Sequence, residues 1–264
     1  MKIQDFLQKK STQDKIVMVT CYDYSSACLL SDTDIDCVLV GDSLAMVMHG
    51  FNDTISATLP MMSMHVSAVS RGLKNKFIVG DLPFLSYRQS QRKSVQAAQL
   101  IIQSGAHAVK LEGAKGNLKL IQHLVESGVP VMGHIGLTPQ FIHQLGGYKV
   151  QGKTLDSAKQ LTEDALSLQE AGCFAVVLEC VPSMLAKTIT HTLSVPTIGV
   201  GAGPHTDGQV LVWHDLLGMT TAHQPKFVKQ FIQGAMVVKN SINQYVFETK
   251  NGDFPNDQYC YHSN

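Results

Sequence analysis

Apolar runs that end in a titratable residue recur along the chain. Four of these runs end in a carboxylate and a fifth ends in a histidine. Their composition is typical of buried parallel strands, which are almost entirely apolar because helices cover both faces of the sheet. In chain order, the terminal residues are Asp42, Asp81, Glu112, His134 and Glu179. Because the carboxyl ends of parallel strands meet at one edge, we expect these side chains to share one rim.

Helix-like segments alternate with the strand-like runs. Further strand-like runs at residues 16–21, 196–200 and 210–213 bring the total to eight. Helical periodicity and the glycines that follow it predict helices over residues 24–30, 61–71, 90–103, 118–127, 157–170 and 184–191, with one or more closing helices within 226–245.

The order of elements predicts an α/β fold of the (β/α)8 TIM-barrel type, with residues 1–264 forming a single domain. A doubly wound open sheet is the alternative arrangement of the same elements. An open sheet binds its ligand at one switch point, whereas here residues suited to chemistry follow the second to sixth strands in turn. That succession favours a ring of side chains around a closed barrel.

Composition changes this picture little, but it excludes some partners. The 264 residues are 44% hydrophobic and 16% charged, and the formal net charge is zero. No basic run tracks a nucleic-acid backbone and no apolar stretch is long enough to span a bilayer, so we expect neither partner. The first residues lack the apolar core of a signal peptide, and the six cysteines are scattered without a CxxC pair. We therefore expect a cytoplasmic protein.

Asp42 and Asp81 each follow a glycine at a strand end, which leaves two interpretations. A single aspartate in that place is most simply the cap of the next helix or turn. Clustered with Glu112, however, the carboxylates repel one another, and their burial without a cation is costly. Ligands that are all oxygen favour Mg2+ over Zn2+. We therefore predict an Mg2+ site in which Asp42 and Asp81 are ligands and Glu112 is a third ligand, directly or through water.

Lys110 lies two residues before Glu112, so both side chains point to the same side of their strand. The lysine is either a structural ion-pair partner inside the barrel or a positive charge that binds an anionic substrate. The sequence alone does not separate these two interpretations. Ser43, which follows Asp42, is able to add a hydroxyl or backbone donor, although on its own it is an ordinary turn residue.

Glu179 and His134 are the candidates for proton transfer. Glu179 ends the most apolar strand of the chain, and a carboxylate in such surroundings suits a general base near neutral pH. Its alternative is a glutamate paired with a cation in the core. His134 lies in a Gly-His-Ile-Gly segment at a strand end. A histidine there serves either as a catalyst or as a hydrogen-bonded structural residue.

Sequence blocks around these residues carry a specific pattern. The chain resembles the ketopantoate hydroxymethyltransferase family over nearly its whole length and in order. The two most specific blocks are GHIGLTPQ at 133–140 and GGYKVQG at 146–152. The other matching blocks are TCYDY at 20–24, VGDSL at 40–44, DLPF at 81–84, VKLEG at 109–113, LECVP at 178–182 and GVGAG at 199–203.

The resemblance implies a fold, a metal cofactor, a co-substrate and an assembly. The expected fold is a barrel related to the phosphoenolpyruvate mutase and isocitrate lyase group. The expected cofactor is Mg2+, and the expected co-substrate, as one-carbon donor, is 5,10-methylenetetrahydrofolate. The expected assembly is a homo-oligomer, a decamer by resemblance.

The resemblance also implies roles for the residues at matching positions. Asp42 and Asp81 would bind the metal, with Glu112 as a direct or water-bridged third ligand. The residues that would contact the keto acid are Asp42, Ser43, Asp81, Lys110 and His134. Glu179 would be the proton acceptor.

The activity that follows is hydroxymethyl transfer from the folate to 3-methyl-2-oxobutanoate, through an enolate that Mg2+ stabilises. Its product is ketopantoate, a precursor of pantothenate and coenzyme A.

A Mg2+-dependent carbon–carbon lyase or a phosphonomutase on the same barrel is one alternative, and it would need a suitable cysteine or acid in the rim loops. If the strand continued beyond Glu179, the side chain of Cys180 would point to the opposite face of the strand from that of Glu179. A non-catalytic binding barrel is the other alternative, which the loss of a rim carboxylate would favour.

Overall fold

Eight parallel strands close into a barrel in which each strand pairs with its neighbours in chain order and the first pairs with the last. The structure is a computed structural model and describes residues 1–220 and 224–263. The predicted (β/α)8 architecture is confirmed, and the open-sheet alternative is excluded. The strands are β1 (Ile16–Thr20), β2 (Cys37–Val40), β3 (Phe77–Asp81), β4 (Ala108–Glu112), β5 (Val131–Gly136), β6 (Ala175–Glu179), β7 (Thr197–Val200) and β8 (Gly208–Leu211).

Helices follow the strands and are begun by side-chain caps where the sequence provides them. Thr58, Ser90 and Thr154 each accept a hydrogen bond from a backbone N–H three residues ahead. The helices are α1 (Ile3–Thr12), α2 (Tyr24–Ser31), α3 (Leu44–Val47), α4 (Leu59–Gly72), α5 (Gln91–Gln103), α6 (Leu118–Glu126), α7 (Ile142–Leu145), α8 (Leu155–Glu170), α9 (Ser183–Thr192), α10 (Trp213–Leu216) and α11 (Gly234–Asn251).

The strand register brings the predicted functional residues into neighbouring positions. Asp81 on β3 pairs with Lys110 on β4, and Glu112 pairs with His134 on β5. Glu179 on β6 pairs with Gly136. Alternate residues of a strand face the same side, so Lys110 and Glu112 both point into the barrel. The parallel register therefore collects the charged side chains at one end of the interior.

The opposite end of the barrel is closed by aromatic rings. Phe6 is fully buried, and its ring centre lies 5.3 Å from that of Phe77 and 5.1 Å from that of Phe174, in edge-to-face arrangements. Phe6 belongs to α1, for which the sequence analysis predicted no helix. The single buried residue of this helix covers the amino ends of the strands.

Two predicted boundaries differ from the structure. The eighth strand was expected at residues 210–213 but spans Gly208–Leu211. A Cβ on Gly208 would lie 2.6 Å from the carbonyl oxygen of Ile16, so glycine is needed for the close pairing with β1 rather than marking a turn. The closing helix was expected from residue 226 but begins at Gly234.

The chain divides into two compact units, Met1–Val212 and Trp213–Asn264. The first contains the barrel. The second contains α10 and α11, and its Phe254 ring packs against Tyr245 and Tyr259 at centre distances of 5.7 and 5.2 Å. Within the described residues no helix combines the length and apolar character needed to cross a bilayer. That all 264 residues form one domain stays a prediction.

Candidate active site

Asp42 and Asp81 lie side by side, where β2 and β3 end. Both are almost completely buried. Asp81 Oδ2 accepts a hydrogen bond from the backbone N–H of Asp42 at 3.1 Å, and Asp81 Oδ1 lies 2.8 Å from Lys110 Nζ. A Cβ at Gly41 would lie 2.9 Å from Ser43 Oγ, so a side chain there would displace the serine hydroxyl. The predicted pair of aspartates and the predicted lysine therefore form one cluster.

The cluster holds more negative charge than its cations balance. Burial raises the pKa of Asp42 well above its usual value, and the neighbouring Asp81 and Glu112 raise it further. Burial also raises the pKa of Asp81, although Lys110 opposes that effect. Burial lowers the pKa of Lys110, but the three carboxylates outweigh it, so the net shift is upward and the lysine stays charged.

Ser43 begins the short helix α3 and bonds to a residue that the sequence analysis left without a role. Its Oγ lies 2.8 Å from the hydroxyl of Tyr22, and either oxygen is able to donate. Tyr22 is fully buried, and burial raises its pKa, so the hydroxyl stays protonated. The signal for Tyr22 was its place in the TCYDY block directly after β1.

Glu112, His134 and Glu179 form a second row of charges. His134 Nδ1 lies 3.3 Å from Glu112 Oε1, and His134 Nε2 lies 3.2 Å from Glu179 Oε2. These are ion-pair distances without the angles of a good hydrogen bond. Glu112 and His134 are buried, whereas the Glu179 side chain keeps 19% of its surface exposed. The residue proposed as the base is thus the most accessible member of the row.

The two glutamates favour the charged form of His134. Burial and the charge of Lys110 lower its pKa, but Glu112 and Glu179 outweigh both and raise it to about 9. At neutral pH the imidazole is therefore an imidazolium that faces one carboxylate on each side.

Gln140 is the residue that sequence reasoning missed most clearly. It is the last residue of the GHIGLTPQ block and lies in a 3-10 turn after β5. Its side chain is buried and donates from Nε2 to Asp42 Oδ2 at 2.7 Å and to the Leu82 carbonyl at 2.9 Å. Its backbone N–H donates to Glu112 Oε2 at 3.0 Å. The block match was the only signal, because a neutral amide after a strand carries no charge pattern.

The cysteine expected to point away from Glu179 adopts a different conformation. β6 ends at Glu179, and Cys180 has a left-handed φ of 48°, so the premise of a continuing strand was wrong. Burial and the nearby Glu179 raise the pKa of the Cys180 thiol to about 11. The thiol is therefore neutral and a poor nucleophile at physiological pH.

The carboxylates suit an oxygen-preferring cation that keeps ligands of its own. Within residues 1–220 and 224–263, no three His, Cys, Asp or Glu side chains are grouped so that they alone could hold a metal ion. Mg2+ needs no such cage, since it takes one or two protein carboxylates and completes its shell with water or substrate. Both Glu112 oxygens already face protein donors. Burial first, and then the charges of Asp81 and Glu112, raise the pKa of Asp42, so a bound cation would favour its carboxylate form.

A closed parallel barrel with buried carboxylates, a lysine and a histidine at the carboxyl ends of its strands defines an enzyme site of the (β/α)8 class. The family model described as ketopantoate hydroxymethyltransferase matches residues 1–257. The chain belongs to this family.

Curated relatives share more than half of their residues with this chain. A 3-methyl-2-oxobutanoate hydroxymethyltransferase of Francisella tularensis subsp. tularensis is 57% identical over 256 residues, which are 97% of each chain. One from Legionella pneumophila (strain Lens) is 55% identical over 262 residues, which are 99% of this chain and 100% of that one. These relatives are transferases, as the sequence analysis expected.

Solved structures share the fold at low sequence identity. Phosphonopyruvate hydrolase matches with a TM-score of 0.65 and 9% identity over 100% of this chain and 92% of its own. 2,3-Dimethylmalate lyase, a PEP mutase/isocitrate lyase superfamily member, matches with a TM-score of 0.62 and 14% identity over 98% and 91%. The barrel therefore has the same fold as these proteins.

Proposed function

We propose that this chain transfers a hydroxymethyl group from 5,10-methylenetetrahydrofolate to 3-methyl-2-oxobutanoate and so makes ketopantoate. The observation that carries the proposal is the placement of Glu179 beside His134, at the same end of the barrel as Lys110 and the aspartates. Family membership supports the choice of substrate and product.

Lys110 and Ser43 would bind the keto acid. The substrate is an anion, and Lys110 is a buried cation with a raised pKa. A buried charge of opposite sign favours binding of a carboxylate where water is excluded. The Ser43 hydroxyl, held by its hydrogen bond with Tyr22, would donate a hydrogen bond to the keto acid. His134 would lie against the substrate next to the base.

Asp42 and Asp81 would hold Mg2+, and Glu112 would act on it through water. When bound, the cation would polarise the keto carbonyl and stabilise negative charge as the C3 proton leaves. In this proposal the Gln140 N–H and His134, which contact the two carboxylate oxygens of Glu112, hold it in the water-bridging position.

Glu179 would remove the proton from C3 of the keto acid. The imidazolium of His134, 3.2 Å away, holds this carboxylate in place while one face stays open to the substrate. The methylene carbon would exchange its two bonds to folate nitrogens for one bond to C3 and one bond to the oxygen of a water molecule. The two nitrogens would take up the proton lost from C3 and the proton lost from that water. The products are ketopantoate and tetrahydrofolate.

The cellular setting and the assembly belong to the same proposal. Precursor synthesis for coenzyme A from small soluble substrates fits a cytoplasmic enzyme without nucleic-acid or membrane partners. A homo-oligomer, and a decamer in particular, rests on the family resemblance alone.

The direct test is product formation from defined components. The protein would be incubated with 3-methyl-2-oxobutanoate, Mg2+ and 5,10-methylenetetrahydrofolate, and the product identified by mass. We expect ketopantoate and its loss when EDTA removes the cation. Absence of product with full components would contradict the proposed reaction, and full activity in excess EDTA would contradict the metal.

A further inference from the structure

Gln140 connects the aspartate cluster with the row that contains Glu112, through its side chain on one side and its backbone N–H on the other. Its amide nitrogen bonds to Asp42 Oδ2 at 2.7 Å, while its backbone N–H bonds to Glu112 Oε2 at 3.0 Å. Asp42 follows β2 and Glu112 ends β4, so a single residue after β5 joins carboxylates from two other strands.

The orientation of the Gln140 amide is fixed from the other side. Its Oε1 accepts a hydrogen bond from the Tyr87 hydroxyl at 2.7 Å. The same hydroxyl accepts from the backbone N–H of Glu112 at 3.3 Å. A flipped amide would direct Oε1 at two acceptors, Asp42 Oδ2 and the Leu82 carbonyl, and would replace the 2.7 Å acceptor of the Tyr87 hydroxyl with an NH2 donor.

A neutral amide is suited to this position because of the charge around it. Three buried carboxylates, those of Asp42, Asp81 and Glu112, already lie in this cluster, so a further anion would be costly and a cation would compete with a bound metal. The amide donates to one oxygen of Asp42 without adding charge. The other oxygen, Oδ1, stays outside this hydrogen bond.

We infer that Gln140, oriented by Tyr87, is a positioning residue that sets the carboxylates of Asp42 and Glu112 for the cation and for the keto acid. It acts through those carboxylates and does not contact the reacting atoms. This inference rests on the proposed function and adds to it a residue outside the predicted ligand set.

The test measures Mg2+ binding by calorimetry, with MgCl2 alone as the probe, beside steady-state kinetics and thermal melting. Gln140→Leu removes both amide donors and keeps comparable bulk. Tyr87→Phe keeps the ring and removes only the hydroxyl that orients the amide. We expect Gln140→Leu to weaken Mg2+ binding by ~10–100-fold, the usual effect of losing a group that orients a metal ligand. Tyr87→Phe should weaken it in the same direction and less.

The matched control is Thr197→Val at the amino end of the barrel. Thr197 is fully buried and its hydroxyl lies 2.7 Å from Thr190 Oγ1 and 3.2 Å from Asp207 Oδ2. This variant loses buried hydrogen bonds without touching the cluster, so it should lower the melting temperature and leave Mg2+ affinity unchanged. A purely structural Gln140 would behave in the same way as this control.

The outcomes separate this inference from the proposed function. Weaker Mg2+ binding in both cluster variants, with wild-type affinity in Thr197→Val, supports the inference. Wild-type affinity in Gln140→Leu, or, where that variant fails to fold, in Tyr87→Phe, overturns it while the proposed reaction stands. A wild-type protein that forms no ketopantoate and binds no Mg2+ overturns both.

Discussion

The two ends of the barrel are filled by opposite chemistry, although the same strands supply both. β3 begins with Phe77, which packs against Phe6, and ends with Asp81, which pairs with Lys110. At the amino end, apolar rings exclude water and stabilise the fold. At the carboxyl end, burial of like charges works against stability and prepares a binding site. Substitutions at the two ends should therefore separate stability from activity.

The largest effect is expected at the carboxyl end. Glu179→Gln keeps the shape of the side chain but removes the proton acceptor, so ketopantoate formation should slow by roughly 10²–10⁴-fold. The matched control is Glu163→Gln, which changes an exposed glutamate on α8 and should leave the rate unchanged. Steady-state rates measured side by side check this. A wild-type rate in Glu179→Gln would move the base elsewhere, with His134 the next candidate.

The amino end should give the opposite result. Phe6→Ala empties the space between the Phe77 and Phe174 rings and should lower the free energy of unfolding by about 3–5 kcal/mol. The turnover number of the folded protein should not change. Denaturant unfolding and active-site-normalised kinetics measure the two quantities. If Phe6→Ala lost turnover and kept its stability, the amino end would not be the part of the barrel that serves stability alone.

The charge on His134 predicts a pH dependence of stability. Its folded pKa, about 9, lies above its ordinary value of 6.5, so the folded protein binds the proton more tightly. That stabilisation is complete below about pH 6.5 and is lost as pH rises through 9, on the order of 3 kcal/mol in total. Unfolding of metal-free wild type and His134→Gln across this range gives the difference. A difference that does not vary with pH would contradict a charged His134.

The smallest effect should come from relieving repulsion. Asp42→Asn keeps an oxygen for Gln140 and removes one of three clustered negative charges. In metal-free protein at pH 8 it should raise the free energy of unfolding, on the order of 1 kcal/mol. Added Mg2+ should then stabilise the variant less than wild type. Destabilisation of the metal-free variant would show that Asp42 has a structural role instead.

The pattern of strand ends predicted the barrel and the charged rim because both follow from parallel strands with a period of two. It did not predict α1, whose single buried residue, Phe6, lies in an otherwise polar helix. It also assigned no role to Gln140 or Tyr87, since their importance lies in hydrogen bonds between distant segments. Ser43 was identified beside Asp42, but its partner Tyr22 comes from a different strand end.

The central claim is that the C3 proton of 3-methyl-2-oxobutanoate is removed at the carboxyl end of the barrel before carbon is transferred. Proton NMR of the keto acid in D2O, with protein and Mg2+ but without the folate, measures this step alone. The account predicts loss of the C3–H signal with wild type, and exchange slower by roughly 10²–10⁴-fold with Glu179→Gln. Equal exchange in the two proteins, or none in a wild type that makes ketopantoate, would contradict it.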